Sequence, residues 1–379
     1  MSYGKITAEG LAALRKKIGV ERAVTEPYNE YVTKDGVKHY ARAIGDPNPL
    51  WLDEAYARKT RWGGIIASPG YLNSVGWGSW DVRRGQGLAG VHGLHAGDIY
   101  EYNCPMRLGD KFTTTTYLQD VVEKKGEYAG RMILQTHAAV FKNQRGETVA
   151  KWTWPIMRTE REAGQSGGKY TKIEPGRYTP EEMKKIEADY DAEEVRGAKP
   201  RYWEDVKVGD ELVPVVKGPL TTQDVIAWVM GVGSPHIRAF RFFLDYRRRT
   251  PAISVTNPLN GVPEPIERVH WDNWMAAEIG MPAAYDYGSQ RGAWAVHLIT
   301  NWMGDDAWLK KIEVMYRGMN FLGDTTWIKG KVVRKWTEGK EHLADVEITG
   351  INQRKAVTMP GHAIVALPSR VDGIPKVQG

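Results

Sequence analysis

His270 is preceded by two carboxylates, Glu264 and Glu267, at the end of a polar stretch. An imidazole and a carboxyl that fold onto one another form an acid–base pair, able to take a proton from one reacting atom and return it to another. A stretch in the first half of the chain keeps step with this one. Leu50-Trp51-Leu52-Asp53-Glu54-Ala55-Tyr56-Ala57 lines up with Val269-His270-Trp271-Asp272-Asn273-Trp274-Met275-Ala276. Asp53 then matches Asp272, Ala57 matches Ala276, and Trp51 stands where His270 stands. Asp46 lies five residues before Trp51, whereas Pro265 occupies that place before His270. Counted from Gly45 and Gly233, Ser234 takes the place of Asp46, and about 31 residues are inserted ahead of His270. Neither half carries both an Asp and a His at this spacing. The partner of His270 is expected among Glu267, Glu264, Asp286 and, from the other half, Asp46, with Glu267 or Glu264 favoured over the rest.

A second group of residues could hold a negative oxygen. Tyr285-Asp286-Tyr287-Gly288-Ser289-Gln290-Arg291 reads as the opening of an apolar helix. Gly288 allows close backbone approach, and the first N–H groups of a helix are unsatisfied and favour negative charge. Gly288, Ser289, Asp286 and Arg291 are therefore expected to bind the polar part of a substrate. Arg247-Arg248-Arg249 is the tightest basic run, and guanidinium groups pair bidentately with phosphate oxygens. Arg238, Arg241 and Arg317 are further candidates. His92 and His95 near Asp98 give only a sparse metal-ligand pattern, so no metal and no cofactor are expected. The one cysteine, Cys104, excludes an internal disulfide and a cysteine metal cluster, and reads as a small buried hydrophobe.

These residues need elements to position them, and the chain supplies the same set twice. A helical stretch ending in a polar loop comes first, at Tyr40–Asp46 and again at Val225–Gly231. A glycine-flanked apolar helix follows, from Gly70 to about Trp80 and from Gly288 to about Met303. Long alternating strands close each half: Lys111–Val122, Tyr128–Lys142 and Thr148–Arg158, then Trp308–Asn320, Thr325–Trp336, His342–Asn352 and Ala356–Leu367. A Gly-Asp pair opens a long strand each time, at Gly109-Asp110 and Gly323-Asp324. Between the halves, the small polar residues 163–168 read as a flexible linker. Thr179-Pro180-Glu181-Glu182 reads as a capping box with proline at the first helical position. The boundaries expected are a first domain at 1–162, a linker with a short helix at 163–200, and a second domain at 201–379. The layout is α+β, with an antiparallel sheet in each half covered by its single long helix.

Bulk properties narrow the classes. The 379 residues suit two cores, and the hydrophobic fraction of 42% is that of a globular protein. Fifteen Trp and 18 Tyr against 6 Phe favour cores bordering a wet cleft. The net charge of +6 is scattered, without the spacing of a zinc finger or the aromatic signature of an RNA-binding sheet. No nucleic acid partner is expected. No run reaches the length needed to span a bilayer, and the N-terminus lacks a leader-type apolar core. The expectation is a cytoplasmic protein without membrane attachment.

Tyr40 to Ala57 resembles the Gly-Asp-x-Asn-Pro-x-His-x-Asp motif of the MaoC-like (R)-specific enoyl-CoA hydratases. It keeps Gly45, Asp46, Asn48, Pro49, Asp53 and Ala57, with Trp51 in place of the histidine. The strands that open on Gly-Asp extend the resemblance over both halves, towards the long acyl dehydratase group of that family. The resemblance implies a tandem (double) hotdog, each half an antiparallel sheet wrapped round a central helix. It also implies an acid–base pair acting on one water at a 2-enoyl or 3-hydroxyacyl-CoA thioester, with a helix N-terminus serving the thioester oxygen. His270 falls at the family's histidine position, and Arg247, Arg248 and Arg249 would face the CoA phosphates. The abundant Trp and the insertion suggest a bulky acyl group. Two other functions remain open: a non-catalytic acyl-CoA-binding subunit whose partner carries the whole motif, and a thioesterase. A homodimer or a heteromeric partner subunit is compatible with either half of this reading.

Overall fold

The computed structural model describes residues 4–25, 27–76, 88, 91–126, 130–160, 170, 173–234 and 236–378. The principal strands are β1 (His92–His95), β2 (Gly97–Tyr102), β3 (Thr113–Gly126), β4 (Gly130–Lys142), β5 (Thr148–Thr159), β6 (Val215–Lys217), β7 (Trp308–Met315), β8 (Thr326–Glu338), β9 (Glu341–Asn352) and β10 (Val357–Leu367). The helices that matter here are α1 (Lys34–Ile44), α2 (Leu72–Gly76), α3 (Pro180–Asp191), α4 (Thr222–Val232), α5 (Phe240–Arg249) and α6 (Gly288–Met303).

Among the described residues the strands form one eleven-stranded antiparallel sheet rather than two separate ones. Its order runs from Arg22–Ala23 through β3, β4, β5 and β2 to β7, then β10, β9, β8 and β6, with β1 also paired to β5. The halves thus repeat the same strand order in mirrored sequence about the β2·β7 junction. There Ile312 faces Tyr100 and Val314 faces Asp98. Pairing β2 with β7 leaves neither as a bare edge, and exposed edges are a liability that sheets manage by pairing. Period-two alternation makes the long strands legible. β8, for instance, buries Thr326, Ile328, Gly330 and Val332 while exposing Lys329, Lys331 and Val333.

α6 is the central helix of the second half. Nearly every side chain from Ser289 to Met303 is buried, because it packs against the sheet on one side and against elements of the first half on the other. A helix buried all round belongs in a core, and its polar residues must then find partners there. Its first-half counterpart opens at Pro69–Tyr71 and continues as α2 to Gly76; the expected stretch from there to Trp80 lies outside the described residues. The equivalent helices α1 and α4 pack on each other. Gly231 makes this possible, since a Cβ there would stand 2.3 Å from the Ala43 Cβ and 2.6 Å from the His39 carbonyl oxygen.

α3 carries the expected capping box, with Thr179 and Glu182 exchanging hydrogen bonds, and Tyr190 docks it by accepting from Gly218 N at 2.9 Å. Residues 163–168 fall outside the described residues. β1 and β2 have no counterpart in the sequence reading. Gly93, Gly97 and the buried Asp98 interrupt the apolar alternation there, so the pattern hides a strand pair that the sheet nevertheless uses. The insertion before His270 folds as α5, a small hairpin of Ser254–Thr256 with Pro263–Pro265, and a 3-10 turn over Ile266–His270. Among the described residues, no helix is long and apolar enough to cross a membrane.

Candidate active site

The 3-10 turn over Ile266–His270 carries one of the two glutamates together with the imidazole. With three residues per turn, side chains three apart eclipse, so Glu267 and His270 share one face. Glu264 lies outside that turn and is claimed by Arg268, which also pairs with Asp272 at 2.5 Å. Asn257 adds a 3.4 Å hydrogen bond to Glu264. Glu264 is thus a structural anchor of the hairpin rather than a partner of His270.

Tyr287, the residue before α6, joins Glu267 to His270. Its hydroxyl donates to Glu267 Oε1 at 2.9 Å, and its ring stacks on the His270 imidazole with centroids 3.8 Å apart. Ser234 Oγ also donates to Glu267, at 3.2 and 3.3 Å to its two oxygens. Ser234, placed by alignment at the position of Asp46, therefore meets the carboxylate that replaces an aspartate there. His270 Nδ1 lies 2.9 Å from the Tyr285 carbonyl oxygen. A carbonyl accepts only, so Nδ1 carries the proton and Nε2 keeps the basic lone pair.

Glu267 and His270 keep part of their surface open, yet protein hems them in and strips most of their hydration. Burial pushes the Glu267 carboxyl up to about 7, against the opposing hydrogen bonds from Tyr287 and Ser234. Burial pushes the His270 imidazole down to about 4, with the backbone of Tyr285 and Asp286 pulling the other way. Both groups are thereby neutral in the same pH range, between those two values.

The other residues of the helix opening have different duties. Asp286 and Arg291, both buried, form an ion pair at 2.6 Å. Asn320 Nδ2 donates to Asp286 at 3.0 Å, and Arg291 donates to the carbonyls of Gly318 and Thr358 at 2.6 and 3.1 Å. The pair ties α6 to the loop after β7 and to β10, so neither side chain is spent on a substrate oxygen. Gly288 and Ser289 stand in the first turn of α6, where backbone N–H groups lack partners within the helix. Arg247, Arg248 and Arg249 close α5, with Arg248 3.9 Å from Asp245 on the same helix. Arg241 pairs with that same aspartate at 2.8 Å, and Arg238 lies over the Tyr246 ring at 4.4 Å.

Asp46 is occupied elsewhere. It is buried behind α1 and accepts hydrogen bonds from Asn48 N at 3.0 Å and from the Trp51 indole at 2.9 Å. His297 of α6 comes within 3.6 Å, and Lys217 donates to His297 Nδ1 at 3.0 Å and to the Ile44 carbonyl at 2.6 Å. Burial raises the Asp46 carboxyl to about 6 and lowers Lys217 to about 8. His297 and Lys217 were not legible as partners of Asp46, being roughly 250 and 170 positions away along the chain. An apolar cleft with Trp51, Trp62, Met106, Met303 and Trp308 in its walls opens nearby, towards the far end of α6. Among the described residues there is no cluster of three or more metal-ligating side chains. Asp53 and Asp272 do the same work in the two halves, each accepting from two backbone N–H groups at a helix start.

Comparison with known proteins gives a consistent result. Residues 17–152 match the family model described as FAS1-like, dehydratase domain region. A UPF0336 protein of Thermobifida fusca is 26% identical over 157 residues, which is 41% of this chain and 99% of that one. A Thermomonospora curvata protein named "Probable enoyl-CoA hydratase alpha subunit" is 24% identical over 158 residues, covering 38% of this chain and 48% of its own. Among solved structures, a MaoC-like dehydratase superposes over 94% of this chain and 100% of its own with a TM-score of 0.67, at 18% identity. A conserved hypothetical protein of Mycobacterium tuberculosis with a double hotdog fold covers 94% and 98%, with a TM-score of 0.56 at 10% identity. With its mirrored sheet halves and buried central helix, the chain has the double hotdog fold.

Proposed function

We propose that this protein adds water to, or removes it from, a 2-enoyl or 3-hydroxyacyl-CoA thioester at the site formed by Glu267 and His270. The observation that carries this reading is the single 3-10 turn that brings the Glu267 carboxyl to the hydroxyl of Tyr287 and the His270 imidazole onto its ring. In hydration, His270 Nε2 takes a proton from water as its oxygen bonds to the β-carbon. Glu267 delivers its proton to the α-carbon, and the imidazolium then returns a proton to the carboxylate. Negative charge that develops on the thioester oxygen falls to the N–H groups of Gly288 and Ser289. Arg247, Arg248 and Arg249 present exposed or half-exposed guanidiniums suited to the CoA phosphates.

A panel of 2-enoyl- and 3-hydroxyacyl-CoAs, read by mass spectrometry for gain or loss of water, tests the proposal on the purified protein alone. A water shift that Asp46→Asn retains within a few-fold is the expected outcome, because Asp46 is closed off behind the Trp51 indole. Activity lost in Asp46→Asn with the fold intact would move the chemistry to the first half. Binding across the panel with no mass change would favour a non-catalytic subunit that awaits a second polypeptide. That alternative has one support, the subunit name of the Thermomonospora curvata relative. A gain of free thiol would point to a thioesterase.

A further inference from the structure

Two buried hydroxyls hold the Glu267 carboxyl from different elements. Tyr287, at the opening of α6, donates to Oε1 at 2.9 Å. Ser234, two residues beyond α4, lies 3.2 Å from Oε1 and 3.3 Å from Oε2. Its Oγ accepts from the His236 N–H at 3.2 Å, which leaves its own proton for the carboxyl. The first half repeats this turn, with Asp46 accepting from Asn48 N at 3.0 Å. A hydroxyl thus stands where the first half has a carboxylate, and the second half's carboxylate arrives from the inserted segment.

The other ionisable groups around Glu267 have duties of their own. On the same turn, His270 lies against the Tyr287 ring, and Arg268 is drawn off by Glu264 and Asp272. On the α6 side, Asp286 is paired with Arg291, and burial holds Tyr285 a neutral phenol. On the α5 side, His236 Nδ1 lies 2.8 Å from the Tyr246 hydroxyl. Among the described residues no cation is paired with Glu267, and the two hydroxyls are what offset its burial. An oxygen that already accepts from Tyr287 is the poorer place for a proton, so in the acid form the proton falls to Oε2. Ser234, nearly equidistant from both oxygens, serves either form.

We infer that Tyr287 and Ser234 are positioning residues for the acid: together they fix the Glu267 carboxyl so that its transferable proton sits on Oε2, while the Tyr287 ring holds the His270 imidazole beside it. This rests on the acyl-thioester reading above and adds to it two residues that act only through Glu267 and His270. Both hydroxyls also favour the carboxylate left behind when Oε2 gives its proton to the α-carbon, which eases that transfer.

Tyr287→Phe separates this role from a merely structural one, because it keeps the ring that packs on His270 and loses only the hydroxyl. With a 2-enoyl-CoA that the wild-type protein hydrates, it should lower the plateau kcat by about tenfold and leave KM nearly unchanged, as a weaker and less fixed acid would. A donor to a carboxyl favours its charged form, so removing the donor keeps Glu267 protonated to higher pH. The upper limb of the pH profile, at about 7 in the wild type, should therefore move up by about one pH unit, as loss of one hydrogen bond to a carboxylate implies, while the lower limb stays at about 4. Ser234→Ala should move the upper limb the same way, and Ser234→Thr, which keeps the hydroxyl, should leave it in place. A carbon-13 NMR titration of glutamate-labelled protein, with the Glu267 carboxyl assigned by Glu267→Gln, reads the same displacement without substrate. Thermal melting shows that the variants are folded. An upper limb and an NMR midpoint both unmoved in folded Tyr287→Phe would overturn the inference. A displaced NMR midpoint in a protein that turns over no thioester would uphold the placement of the acid proton and overturn the thioester reading instead.

Discussion

His270→Asn is expected to lower kcat/KM for enoyl-CoA hydration by about 10²–10⁴-fold, the usual worth of a positioned acid–base group, with little change in melting temperature. The imidazole is half-buried and its hydrogen bond to the Tyr285 carbonyl is to backbone, so its loss leaves no buried charge behind. The pH profile of the wild-type enzyme carries the same argument further. The working form has His270 neutral and Glu267 protonated. Activity should rise as pH climbs through about 4, where the imidazole loses its proton, and fall through about 7, where the carboxyl loses its own. Dehydration needs the same number of protons placed the other way round and so shows the same two limbs. Glu267→Gln should remove the upper limb together with most of the activity. Activity that instead rises through pH 7 would make Glu267 the base and reverse the two roles.

Arg291→Met is expected to cost about 3–5 kcal/mol of stability at pH 8, as measured by urea denaturation. The arginine stem and guanidinium are buried, and the change leaves Asp286 charged, buried and without its cation. Burial already raises the Asp286 carboxyl to about 6 in the folded protein, above the ordinary value of an unfolded aspartate. A group so raised favours the folded state most when protonated, and that advantage is lost as pH climbs through its folded value. The deficit of Arg291→Met should therefore shrink as pH is lowered from 8 towards 5. Adding Asp286→Asn should recover much of it, since a neutral amide still bonds to Asn320. A loss below about 1 kcal/mol at pH 8 would show that water reaches the pair. Turnover per folded molecule should survive in the double variant, which separates this pair from the catalytic groups.

Much of the scaffold could be read from local pattern alone. Alternation marked the strands from β3 to β5 and from β7 to β10, the Thr179 capping box marked α3, and Gly288 to Met303 marked the central helix within its actual bounds. These signals are local, since backbone periodicity and capping chemistry depend on residues a few positions apart. β1 and β2 escaped because glycines and a buried aspartate broke the alternation for the sake of a contact with the other half.

For the site, the chain order narrowed the candidates and stopped there. It placed Glu264, Glu267 and His270 together but could not rank the glutamates; a 3-10 turn and the position of Arg268 did that. It offered Asp286 and Arg291 to a substrate, whereas packing gave them to one another. It could not connect Asp46 with His297, because that pair is about 250 residues apart. By itself the sequence determined two repeated halves, their strands and helices, and the residues able to carry protons. Tertiary structure alone decided which of those residues meet, because a buried polar group must find its partner among whatever the folded sheet and helix bring within about 3 Å.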